Sequence, residues 1–138
     1  MGKKVCLCGS FKFFTKMIEV EKLLVDKGVT CDTPRPFEFR DQLQPSCFEK
    51  TWDYLPYEDK LAFSRKAEQT YLEKLEEADI IYVINPSGYV GTSVLFEIGY
   101  ALARGKDVYS LEPIQDYAIM GLIKRAVTPD ALVAIAGQ

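Results

Sequence analysis

The chain has 138 residues, 17 basic and 20 acidic, for a net charge of −3, and 48% of it is hydrophobic. That length suits one ordinary domain, the hydrophobic share excludes a disordered chain, and the acidic balance argues against a general nucleic-acid binder. Histidine is absent. Ser-His-Asp triads, Cys-His dyads and histidine-ligated metal sites are therefore excluded, and acid–base chemistry falls to carboxylates, Tyr, Lys or Cys.

The cysteines are Cys6, Cys8, Cys31 and Cys47. Their one close pair is Cys-x-Cys, which is neither a redox Cys-x-x-Cys nor a zinc knuckle. A four-thiolate zinc site stays open beside the plainer reading, small buried hydrophobes in a reducing cytoplasm. The N-terminus, Met-Gly-Lys-Lys before a short apolar run, lacks a signal-peptide core, and no apolar run approaches the ~20 residues of a membrane span. These features lead us to expect a cytoplasmic protein that binds no membrane and no nucleic-acid polymer.

In chain order, Val5 to Cys8 reads as a buried strand closed by Gly9-Ser10. Phe11 to Lys27 has helical spacing, and Gly28 stands where a helix-ending glycine belongs. Val29 to Asp32 is a second strand, giving a β-α-β unit with parallel strands. Residues 33–57 hold Pro34, Pro36, Pro45 and Pro56 with Phe37, Phe39, Phe48, Trp52 and Tyr54. The prolines argue against a continuous element and the aromatics against a linker, leaving a pocket wall or a loop over core.

Glu58 to Ala78 is helical, and Asp79 to Asn85 is a fully buried strand broken by Pro86-Ser87-Gly88. Gly91-Thr92-Ser93 opens a helix to about Arg104, with Thr92 or Ser93 as its N-cap. Gly105 stops it, and Asp107 to Leu111 is the next strand. Gln115 to Ala126 reads as helix and Leu132 to Ile135 as a last strand. This alternation implies a single-domain α/β fold: a flavodoxin-like, open parallel sheet of about five strands in the order 2-1-3-4-5, with helices on both faces. Ligands of such sheets bind outside the C-terminal strand ends, where the strand order reverses. Gly9-Ser10 and the stretch from Asn85 to Glu97 should meet there.

In Gly88-Tyr89-Val90-Gly91-Thr92-Ser93-Val94-Leu95-Phe96-Glu97, two glycines permit close backbone approach and the following helix start suits an anion. Glu97, among apolar neighbours, is either an outer-face surface residue or a functional carboxylate facing the cleft. Ser10 reads first as a helix cap, and Lys12 could reach an anion. Asp79 belongs by geometry to the strand end opposite the cleft. Tyr89 or Trp52 is of a type that stacks on a flat ring.

Cys-Gly-Ser-Phe-Lys-Phe at 8–13, Ala-Asp-Ile-Ile-Tyr-Val at 78–83, and Gly-Tyr-Val-Gly-Thr-Ser-x3-Glu-Ile-Gly-Tyr-Ala at 88–101 with Gly105-Lys106 resemble the nucleoside 2-deoxyribosyltransferase family. That family includes the 2′-deoxynucleoside 5′-monophosphate N-glycosidases. The resemblance runs in order from about residue 3 to residue 126, and the third motif is the most specific. It implies cleavage of an N-glycosidic bond by Glu97 as nucleophile, with Asp79 near the departing base. Gly9, Ser10, Phe11, Lys12, Gly88, Tyr89, Gly91, Thr92 and Ser93 would bind the substrate, a nucleoside or nucleotide. It implies a homo-oligomer, no metal and no other cofactor. The sequence departs from the family pattern at Cys6, where well-studied members carry a tyrosine, and at Gly91, where they carry an aspartate or serine. It also has no clear match, between Tyr117 and Arg125, for the phosphate-binding serine of the monophosphate hydrolases.

Two other readings share these features. A non-catalytic nucleotide-sensing module would keep the glycine-rich turn and fold without needing Glu97. A phosphoribohydrolase motif, Gly-Gly-x-Gly-Thr-x-x-Glu, has two residues between Thr and Glu. Here four separate Thr92 from Glu97, which turns the carboxylate by about 200° on a helix.

Overall fold

The computed structural model describes residues 2–34 and 54–138. By its internal contacts the chain divides into two units, Met1–Pro34 with Lys74–Gln138, and Arg35–Glu73. Most of the aromatic loop expected at 33–57, with Trp52 and Cys47, lies outside the described residues.

The first unit holds β1 (Val5–Cys8), α1 (Phe14–Asp26) and β2 (Cys31–Asp32). Helix α2 (Tyr57–Glu77) begins in the second unit, and its last residues, Lys74–Glu77, belong to the first. The first unit continues with β3 (Ile80–Val83), α3 (Thr92–Ala103), β4 (Asp107–Ser110), α4 (Tyr117–Leu122), β5 (Arg125–Ala126) and α5 (Pro129–Ala136). The five strands form one sheet in the order β2-β1-β3-β4-β5, every pairing parallel. This is the flavodoxin-like order expected. The central strands are unbroken apolar runs because helices cover both faces of a parallel sheet.

Strand alternation sorts the core into two layers. Val5, Leu7, Ile80, Tyr82 and Tyr109 cluster with Met17, Val20 and Leu24 of α1 and Leu132, Ile135 and Ala136 of α5. Cys6, Cys8, Ile81, Val83, Val108 and Ser110 alternate with them and point to the other face, where α3 contributes Val94, Glu97, Ile98 and Ala101 as its buried side.

Helix ends follow local chemistry. Gly28 has φ +85° and its amide bonds to Val25 O, while Val29 N bonds to Leu24 O, both at 2.9 Å. That paired closure needs a left-handed residue after the helix. Gly105, at φ +75°, closes α3 in the same way through Gly105 N to Leu102 O and Lys106 N to Ala101 O.

Three expectations are corrected. Leu132 to Ile135 is not a strand but the middle of α5: Thr128 caps it by accepting from Ala131 N at 3.2 Å, and Pro129 occupies the first turn. A four-residue apolar run fits either state, and the cap decides. The helix expected over Gln115 to Ala126 is shortened to Tyr117–Leu122, because Arg125 and Ala126 are taken up by the free edge of β4. Neither Thr92 nor Ser93 is the N-cap of α3; Gly91 stands there with φ −85° and ψ 177°, and offers no side chain to the helix start.

Candidate active site

Two turns leave the C-terminal edge of the sheet beside each other. After β1, Ser10 Oγ accepts from Lys12 N at 3.4 Å and starts a single 3-10 turn, Phe11–Phe13, ahead of α1. Ser10 is thus the cap that its type suggested. Gly9 is required by packing: a Cβ there would lie 2.9 Å from Ile84 O and 3.2 Å from Met17 Sδ.

The turn after β3 is braced from beneath. Asn85 is fully buried; its Nδ2 donates to Glu112 O and its Oδ1 accepts from Glu112 N, both at 2.9 Å. The side chain thereby extends sheet-like pairing to the turn after β4. Ser87 has φ +61°, a left-handed conformation that costs a non-glycine residue about 1 kcal/mol or more. Gly88 has φ +79°, and a Cβ there would lie 2.8 Å from Pro113 O. Its close approach is to protein rather than to a ligand. Gly91 differs, since an added Cβ would meet only Tyr89, at 3.6 Å or more.

The two turns meet through Tyr89. Its ring packs edge-on against Phe13 at a centroid distance of 5.8 Å, and Lys12 Nζ lies 3.8 Å from its centroid. Tyr89 thus carries a cation on one face, close to the start of α3. Phe11, Lys12, Tyr89, Thr92 and Ser93 are all exposed at this edge.

Glu97 belongs to the inner side of α3. Spacing of three, four and seven residues from Val94 puts Glu97, Ile98 and Ala101 on one helical face, turned to the sheet. Only 7% of Glu97 is exposed. Cys8, completely buried at the end of β1, points its Sγ at Glu97 Oε1 across 3.4 Å. The outer-surface reading of Glu97 is thereby set aside. Ser110 shares the same row of the sheet, Cys8–Val83–Ser110, and its buried Oγ has no hydrogen-bond partner among the described residues.

Asp79 is not brought to this group. Its carboxylate accepts from Lys4 N at 2.9 Å, at the N-terminal end of β3. Asp79 and Ile84, five residues apart, are separated by about 16 Å of strand. Nearby, Lys4 Nζ pairs with Asp32 at 3.0 Å and Glu77 at 3.3 Å, and these partners raise its pKa above the ordinary 10.5. That end of the sheet is an ionic brace.

By sequence alone, Cys8 is a strand residue, a candidate zinc thiol and the head of the first motif, Ser110 is a strand residue, and neither is linked to Glu97. For Cys8 a signal existed, because alternation in Val-Cys-Leu-Cys places Cys6 and Cys8 on one face. Cys6 Sγ donates to Leu7 O at 3.6 Å, and Cys8 meets the carboxylate. Cys31 packs with the Val5 layer, on the face opposite Cys6. The described thiols therefore do not converge as a zinc site would require. Among the described residues, no helix is long and apolar enough to cross a membrane.

A 2-deoxyribosyltransferase from the psychrotolerant bacterium Bacillus psychrosaccharolyticus, characterised as a biocatalyst for nucleoside synthesis, superposes with a TM-score of 0.64. The match covers 97% of this chain and 96% of that one, at 20% identity. This chain has the fold of a 2-deoxyribosyltransferase. A conserved protein from Enterococcus faecalis V583 superposes with a TM-score of 0.61 at 15% identity, over 97% of this chain and 96% of its own. No protein-family model and no curated protein matches the sequence. The shared fold includes the strand-order reversal at β1 and β3, beside which Glu97 and the two turns lie.

Proposed function

We propose that this chain works as a single enzyme domain, a divergent relative of the nucleoside 2-deoxyribosyltransferases. It would cleave the N-glycosidic bond of a (2′-deoxy)nucleoside or its 5′-monophosphate. The observation that carries this reading is the buried Glu97 carboxylate, turned inward at the C-terminal edge of the sheet. An oxocarbenium-like transition state is stabilised by an anion and then trapped by it. A Glu97 oxygen bonds to the anomeric carbon as the carbon–nitrogen bond breaks. The bonding pair leaves with the base, which takes a proton from solvent. Water or the ring nitrogen of a second base then attacks the same carbon, gives up its proton to solvent and releases the carboxylate. Two inversions give net retention.

The remaining site residues divide by role. Gly9 and Gly88 shape the turns, and Ser10 caps one of them. Lys12, held over Tyr89, and the start of α3 at Gly91, Thr92 and Ser93, whose N-cap glycine has no side chain to cap it, would receive an anionic group such as a 5′-phosphate. Asp79 takes no part in this scheme. We further propose a homo-oligomer, because the exposed side of α3 carries Leu95 and Phe96.

The test is chromatographic detection of free base. Purified protein, its mass read by light scattering, meets deoxynucleosides, their monophosphates and the ribo counterparts, with and without an acceptor base. Base release is expected from the parent chain, with a loss of at least about a thousandfold in Glu97→Gln. Dependence on acceptor base separates transferase from hydrolase. Substrate binding without turnover, unchanged in Glu97→Gln, would replace this reading with a nucleotide-sensing module. A monomeric mass would remove the oligomer.

A further inference from the structure

The proposed reaction uses Glu97 but leaves the buried thiol against it without a role. Cys8 ends β1, is wholly inaccessible, and places Sγ 3.4 Å from Glu97 Oε1, within the reach of a sulfur hydrogen bond. A thiol beside a carboxylate has one useful polarity: S–H donates and the carboxylate oxygen accepts. We propose that Cys8 is a positioning residue for Glu97, its thiol fixing the plane of the carboxylate and thereby the direction from which the second oxygen attacks. This inference rests on the reading of Glu97 as nucleophile and deepens it.

The geometry follows from two rigid elements. Register pairs Cys8 with Val83 in the middle of the sheet, so the Cys8 backbone is held on that side. Glu97 is held by a helix whose buried neighbours Val94, Ile98 and Ala101 pack under it. A glutamate side chain has three rotatable torsions, and a donor from the sheet restricts them further than helix packing does.

The weakness of the donor suits the chemistry. A strong hydrogen bond stabilises the ionised carboxylate more than the neutral ester formed in the covalent intermediate, which raises the barrier between them. A thiol orients the same oxygen while favouring the ionised form less. Cys8 forms and breaks no covalent bond in this scheme; its proton stays on sulfur throughout.

Three variants and one vibrational band test the proposal. The S–H stretch assigned to Cys8, from the infrared difference between parent and Cys8→Ala, should shift in Glu97→Gln if the thiol donates to the carboxylate. In base release, Cys8→Ala should lower kcat about tenfold while KM changes less than about threefold. Cys8→Ser, which restores a donor, should recover at least part of that loss. Melting temperatures would be measured alongside. A loss in Cys8→Ala that tracks unfolding and is not rescued by serine would assign Cys8 to packing and overturn the proposal. So would a Cys8 band indifferent to Glu97, or unchanged kcat in Cys8→Ala with an active, Glu97-dependent parent. A parent chain inactive on every substrate overturns the nucleophile reading, and this inference with it.

Discussion

Gly88 and Gly91 stand three apart in one turn, yet the structure asks different things of them. Gly88 needs φ +79° and has a carbonyl oxygen 2.8 Å from where a Cβ would go. Gly91 has φ −85° and ordinary space around it. Gly88→Ala should therefore lower stability by about 1–3 kcal/mol, whereas Gly91→Ala should fall within about 0.5 kcal/mol of the parent. Urea denaturation of the two variants checks this, and equal effects would contradict the turn geometry. If Gly91 also lines an anion site, its alanine variant should bind substrate more weakly while folding normally. Both glycines were legible in the sequence as turn residues. Which of them approaches protein was not, since Pro113 O is brought to Gly88 only by the turn after β4.

Among the elements, boundaries were set by caps, and caps were only partly legible. Thr128 and Pro129 mark the start of α5 as clearly as any residues in the chain, but the apolar run behind them also reads as strand. Thr92 and Ser93 have the composition of caps and do not act as such, because Gly91 already takes the extended conformation that the N-cap requires. Thr128→Ala should cost about 1 kcal/mol, and Thr92→Ala and Ser93→Ala only a few tenths. Thermal unfolding of the three variants separates them; a large loss in Thr92→Ala would show that the helix start is capped differently. The far end of α3 is held by Glu76, whose Oε1 accepts from Tyr100 Oη at 2.6 Å and from Arg104 Nε, while Lys106 Nζ donates to Glu76 O at 2.7 Å. The Tyr100 hydroxyl and then the Arg104 guanidinium hold the Glu76 carboxyl below the usual range. These contacts tie α3 to the last turn of α2 at the end of α3 remote from the turns, and Glu97 depends on α3 keeping its place.

For the molecule as a whole, the titrating groups set a stability profile. Burial, followed by the charge of Glu21, pushes the Cys31 thiol up from 9.0 to about 12. The unfolded thiol loses its proton first, so the folded state holds the extra proton between those values, and stability falls as pH rises through that window. Lys4, raised above 10.5 by Asp32 and Glu77, keeps its contribution below 10.5 and loses it only at higher pH. Melting temperatures of the parent chain and Cys31→Ala between pH 8 and 10.5 should therefore diverge less and less in the parent's favour. Parallel curves would show that Cys31 is not buried as a neutral thiol. At this scale the sequence alone determined the alternation of strand and helix and the parallel sheet, because unbroken apolar runs separated by helical spacing permit little else. It also pointed to Glu97 through a run of residues matching a known motif. Strand order also put Asp79 at the end of the sheet away from the turns, where it meets Lys4 N. Only the tertiary structure decided that Glu97 faces inward and that Cys8 meets it. That contact spans 89 positions, and strand register and helix rotation, rather than local chemistry, determine it.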